Sequence, residues 1–246
     1  MENQFDPRMT GGQAASVGVP RAVRDVGLRS YMLSVYNYMA SGVLLTAIVA
    51  LLFAPYARDV LISQTGRGLS GLGWIVTLAP LGFVFALSLG ANRMSVGTMK
   101  LVFFAFAATM GLSMSTLFLA YTGVSIAQTF MAVTAAFLGL SLYGYTTKKD
   151  LSAFGTFLIM GVVGLLVAMV INMFLHSAAM QLAISAIGVL LFAGLTAYDT
   201  QKIKSMYAHV SGSEMAGKTA ILGALTLYLD FINMFQFMLS FMGNRR

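Results

Sequence analysis

The chain has 246 residues, of which 58% are hydrophobic and only 9% charged, and it contains no cysteine. A soluble protein of this length carries roughly 25% charged residues, so an ordinary globular fold is excluded, and the absent thiols exclude disulfides and thiolate metal sites. The net charge of +7 reads as surplus Lys and Arg in cytoplasmic loops rather than as a nucleic-acid surface. The expected class is an all-α polytopic membrane protein with one domain, surrounded by membrane lipid and binding no nucleic acid.

Residues 1–30 do not resemble a signal peptide, because the first apolar run begins only near Tyr31 and is about 23 residues long. Met1 to Pro20 reads as a mobile cytoplasmic tail, and Arg21, Arg24 and Arg29 as a short basic approach to the membrane, leaving residues 31–246 as the transmembrane domain. Seven apolar segments follow, at about Tyr31–Phe53, Leu72–Leu89, Met99–Ala120, Val124–Tyr145, Phe154–Leu175, Met180–Tyr198 and Thr219–Met242. Each has the ~20 residues that cross ~30 Å of hydrocarbon as a helix. Polar breaks separate them, notably Gly66-Arg67-Gly68, Lys148-Lys149-Asp150, His176-Ser177 and the stretch from Lys202 to Lys218.

Topology follows from the cations. Arg8, Arg21, Arg24, Arg29, Arg93, Lys100, Lys148, Lys149, Lys202, Lys204 and Lys218 fall on one side, against Arg58, Arg67, Arg245 and Arg246 on the other. Eleven against four places the N-terminus in the cytoplasm and, for seven crossings, the C-terminus outside. A re-entrant last segment would return it to the cytoplasm. Two small-residue ladders, Gly82, Ala86 and Gly90 and the pair Ala135 and Gly139, suggest close helix packing.

The chemistry concentrates in the last two segments. Asp230 stands inside Leu225-Thr226-Leu227-Tyr228-Leu229-Asp230-Phe231-Ile232-Asn233-Met234-Phe235, and Asp199 closes the sixth segment in Ala197-Tyr198-Asp199-Thr200. A carboxylate at membrane depth is expensive and marks a functional site by default. At 100° per residue, Thr219, Gly223, Thr226, Asp230, Asn233, Phe237 and Ser240 share one face of the seventh helix. Gln181, Ser185, Gly188, Phe192 and Asp199 share one face of the sixth. If the faces meet, the two carboxyls cannot both ionise cheaply, so the pair holds one proton and titrates as a unit. With Asn233 and backbone carbonyls it would also offer hard oxygen ligands suited to Ca²⁺ rather than zinc. Tyr198 and Thr226 are supporting polar groups. The plainer alternative leaves Asp199 as a helix-end cap and Asp230 bonded to a neighbouring hydroxyl.

Depth is the obstacle. Asp199 lies three residues before Lys202, whereas Asp230 is about 16 Å into its segment. The acids meet only if the sixth helix continues past Lys202 or the seventh starts below the membrane surface. Arg93, in Ala91-Asn92-Arg93-Met94, is either a snorkelling anchor or a latch that pairs with an acid in one gating state.

The run Ala197-Tyr198-Asp199-Thr200-Gln201-Lys202-Ile203-Lys204, followed by Leu227-Tyr228-Leu229-Asp230-Phe231-Ile232-Asn233-Met234-Phe235 and supported by Lys148-Lys149-Asp150-Leu151, resembles the transmembrane Bax inhibitor motif family, of the Bax inhibitor-1 kind. The resemblance covers all seven segments. It implies a fold in which the last helix is central and surrounded by the other six. It also implies a pH-sensitive calcium leak in a bacterial inner membrane, with Asp199 and Asp230 as a di-aspartyl sensor and Arg93 as latch partner. Calcium ions and protons would then be the species handled, with no tightly bound cofactor. Some bacterial members are linked to modulating a membrane-bound protease, so a regulator that binds a protease or another membrane protein is the alternative.

Enzymatic readings fare worse. An intramembrane aspartyl protease would carry Gly-x-Gly-Asp, where this chain has Tyr228-Leu229-Asp230. The two histidines, His176 and His209, fall in loops on opposite sides, which argues against a zinc hydrolase, and no lysine stands mid-way along the seventh segment for retinal.

Overall fold

The computed structural model describes residues 21–63 and 68–245, with nothing said of the side chains of 21–24. The tail 1–20 with Arg8, the loop centre Gly66-Arg67 and Arg246 lie outside the described residues, as do the side chains of Arg21 and Arg24. Nine helices are described: α1 (Arg21–Phe53), α2 (Ala57–Leu61), α3 (Gly71–Gly90), α4 (Val96–Met114), α5 (Leu117–Ala120), α6 (Gly123–Thr146), α7 (Ser152–Leu175), α8 (Ala178–Val210) and α9 (Met215–Met242). Seven spans are long and apolar enough to cross a membrane, with α4 and α5 together forming the third.

Local chemistry sets the helix starts. Ser70, Ser95, Thr122 and Ser177 cap α3, α4, α6 and α8, each side-chain oxygen accepting from the backbone N–H three residues on. The Lys148-Lys149-Asp150 turn is held differently. Asp150 accepts from Ser152 N at 2.9 Å. Gln201 of α8 accepts from Leu151 N at 2.9 Å and donates to Lys149 O at 2.8 Å. Between α4 and α5 the Ser115 and Thr116 hydroxyls turn back onto the carbonyls of Leu112 and Ser113.

The last helix is the most enclosed: 61% of its apolar stretch is buried, against 17–33% for the other spans. It packs chiefly on α8, α1, α6 and α4, while α3 reaches the bundle through α4 and α7 through α8. Its main packing partners among the described residues are therefore these four helices. α9 is unbroken over 28 residues. At one end of the bundle Tyr31 of α1 packs on Tyr207 of α8, with ring centroids 5.3 Å apart. At the other, Arg245 bridges to Tyr121 and Asn244 N donates to Ser125 Oγ at 3.0 Å. The start of α1 and the end of α9 thus lie at opposite ends of the bundle.

Three expectations change in detail. The approach segment from Arg21 is already helical and continuous with the first span. His209 lies in the last turn of α8, not in a loop. Within the small-residue ladders a Cβ at Gly82 or Gly139 would meet nothing within 4 Å, whereas one at Gly90 would stand 2.8 Å from Met94 Cε. The close approaches are made by Gly111, where a Cβ would stand 2.7 Å from Thr46 O of α1, and by Gly144, where it would collide with the Ala197 carbonyl of α8.

Candidate functional site

The depth obstacle is removed by the length of α8, which continues to Val210, well past Lys202. α9 in turn begins at Met215, so Asp199 lies 11 residues before the end of one helix and Asp230 15 residues after the start of the next. At 1.5 Å per residue those depths are roughly 16 and 22 Å, close enough to pair across an antiparallel hairpin.

The two faces meet along their whole length. Gly223 packs on Ile203. The Asp199 and Asp230 carboxyls then face each other across the seam. Next, Phe192 and Phe237 stack with centroids 5.8 Å apart and planes 21° from parallel, the Phe237 ring lying against Gly188. Beyond the rings, Gln181 Nε2 and Ser185 Oγ both donate to Ser240 Oγ, at 3.2 and 3.0 Å. The seam therefore reads, from the α1 start to the far end, as acid pair, aromatic stack and neutral polar cluster. Asn172 of α7 joins that cluster by donating to Gln181 Oε1 at 3.2 Å.

Both acids are buried, Asp199 at 9% exposure and Asp230 at 4%. Asp230 Oδ2 is buried and finds no hydrogen-bond partner among the described residues. The charge facing Asp199, apart from Asp230, is the Lys202 ammonium on its own helix, which also lies 5.8 Å from the Tyr198 ring centroid.

The other expected site residues are engaged elsewhere. Asn233 Nδ2 donates to Leu229 O at 2.8 Å and Thr226 Oγ1 to Leu222 O at 3.1 Å, each within α9. Tyr198 turns towards α7, where Gly155 leaves room for its ring. Arg93 is exposed in the turn between α3 and α4 and forms no ion pair among the described residues. The structure thus unites Asp199 with Asp230 and leaves Arg93 apart from them. Among the described residues no group of three or more His, Cys, Asp or Glu side chains converges.

Two features escaped the sequence reading. Gln201 and Lys204 grip the α6–α7 turn, the latter donating to Tyr145 O at 2.7 Å. Their placement on one helix with Asp199 was legible only in the unbroken motif from Ala197 to Lys204. The second is a hydroxyl chain, Tyr36–Ser141–Thr200, that ties α1 and α6 to α8 beside Asp199.

The family model described as "Inhibitor of apoptosis-promoting Bax1" matches residues 28–246. The chain is 44% identical to the inner membrane protein YbhL of Escherichia coli over 233 residues, 94% of this chain and 97% of that one. It is 45% identical over 223 residues to the uncharacterized protein RP147 of Rickettsia prowazekii, covering 90% and 92% of the two chains. An uncharacterized protein of Caulobacter vibrioides is 42% identical over 243 residues, covering 96% and 97%. With the seven-span bundle and these matches along nearly its full length, the chain belongs to the Bax inhibitor-1 family of integral membrane proteins.

Proposed function

We propose that the chain is a pH-sensitive calcium leak channel of a bacterial inner membrane, gated by the proton shared between Asp199 and Asp230. The observation that carries the reading is the burial of these two acids against each other at the α8–α9 seam. A hydrogen bond between two carboxyl groups needs one proton between them. Removing that proton leaves two negative charges in contact, a repulsion of several kcal/mol even at an effective dielectric of ~20, and separation of the helices is the available relief. Opened, the same carboxylates would present hard oxygens to a passing Ca²⁺. The start of α1 faces the cytoplasm in this reading, on the strength of the cation asymmetry.

Calcium flux into proteoliposomes across a pH series tests it directly. Asp230→Asn and Asp199→Asn should each abolish most of the pH dependence. Unchanged flux and profile in Asp230→Asn would sink the gating role. Absence of any flux from the purified wild type would favour the regulator that acts on a membrane protease or another membrane partner.

A further inference from the structure

α1 and α6 both pack on α9 but scarcely on each other, so a gap runs between them towards the surrounding lipid. Its half nearest the start of α1 is a cleft of about 370 Å³. Met32, Leu33, Leu138 and Leu142 give it apolar walls, Tyr36, Ser141 and Tyr145 stand among them, and Arg29 completes the lining. Leu33 and Leu138 are exposed to the lipid side, at 51% and 63%.

Arg29 is exposed and has no ion pair among the described residues, although Asp25 stands one turn away on the same helix. A second cation flanks the cleft, since Lys204 Nζ lies 4.8 Å from the centroid of the Tyr145 ring. Apolar walls with unneutralised cations at the polar end match one kind of amphiphile. Anionic lipid headgroups are attracted to such cations by about 1 kcal/mol each, and acyl chains fill the apolar part.

We propose that this α1–α6 cleft is a binding site for an anionic phospholipid, its phosphate on Arg29 and an acyl chain against Leu33, Leu138 and Leu142. The site is independent of the gating role proposed above. It faces the bilayer, so its occupant arrives laterally and needs no aqueous path.

The test titrates the purified full-length protein in neutral detergent with phosphatidylglycerol, phosphatidylcholine or inorganic phosphate, and counts retained lipid by native mass spectrometry. Wild type should retain phosphatidylglycerol in preference to phosphatidylcholine. Arg29→Gln should weaken phosphatidylglycerol about fivefold and leave phosphatidylcholine unchanged. Leu138→Trp, which fills the cleft from its lipid side, should reduce retention of both, and Arg58→Gln at the opposite end should change neither. Equal retention by wild type and Arg29→Gln overturns the proposal, as does undiminished retention in Leu138→Trp. Displacement of phosphatidylglycerol by equimolar inorganic phosphate also overturns it, because the site would then be one for free phosphate.

Discussion

Asp199 of α8 and Asp230 of α9 face each other side chain to side chain, 31 positions apart in the chain and both buried. Buried carboxyls in contact are energetically coupled, so their substitutions should not add. Asp199→Asn, Asp230→Asn and the double variant, compared by reversible unfolding in mixed micelles, should give a coupling energy of about 0.5–3 kcal/mol. Additive effects would show that the acids are independent.

The Phe192–Phe237 stack separates the acid pair from the neutral cluster of Gln181, Ser185 and Ser240. Two stacked rings in a narrow seam exclude water, and hydrophobic constrictions of this kind gate by dewetting. Phe237→Ala should raise calcium leak in proteoliposomes several-fold at the pH where wild type is closed. A leak equal to wild type would remove the rings from the path.

Gly144 and Gly139 stand on the same helix with opposite surroundings. A Cβ at Gly144 runs into the backbone carbonyl of Ala197, which cannot swing aside, whereas one at Gly139 enters open space. Gly144→Ala should destabilise the bundle by about 1–3 kcal/mol through forced separation of α6 and α8. Gly139→Ala should stay within about 0.5 kcal/mol of wild type. Thermal melting in detergent distinguishes the two.

Tyr228 is fully buried, and its hydroxyl meets Thr46 Oγ1 at 2.6 Å while Thr46 donates to Ala107 O at 2.8 Å. Thr46 has one proton, already given to Ala107, so Tyr228 is the donor. Tyr228→Phe removes one bond and leaves no buried orphan, with an expected loss of about 1 kcal/mol. Thr46→Val strands the Tyr228 hydroxyl and should cost about 1–3 kcal/mol. The reverse order in unfolding measurements would contradict the donor assignment.

Asp150 lies outside the spans, and its hydrogen bonds from Ser152 hold its carboxyl below the ordinary value of 3.8. A depressed folded value means that the contribution is present above pH 3.8 and is lost as pH falls through the lower, folded value. The melting temperature of wild type should therefore exceed that of Asp150→Asn near pH 6, and the gap should close as the pH is lowered below 3.8. A pH-independent gap would place the effect elsewhere.

Seven spans could be read from the sequence because each apolar run is long enough to cross a bilayer and is bounded by charge or capping residues. The polar faces of α8 and α9 could be read because 3.6-residue periodicity survives inside those runs. The length of α8 could not. Lys202 and Lys204 mark the end of an apolar run, but Gln and Lys are good helix formers, and the helix continues past them into polar surroundings. The roles of Asn233 and Thr226 were also hidden, since each bonds the carbonyl four residues back and spends its polarity on its own helix. Small-residue spacing on α3 and α6 showed where a close approach was sterically open. Only the packing of Gly111 and Gly144 shows where one occurs.

The enclosure of α9 also bears on biosynthesis. The most buried span is the least apolar of the seven and follows the other six in the chain. Ser185 and Thr46 on earlier spans take hydrogen-bond partners, Ser240 and Tyr228, that only α9 supplies. Entry of α9 into the bilayer is therefore expected to depend on partnering the earlier spans more than on its own affinity for lipid.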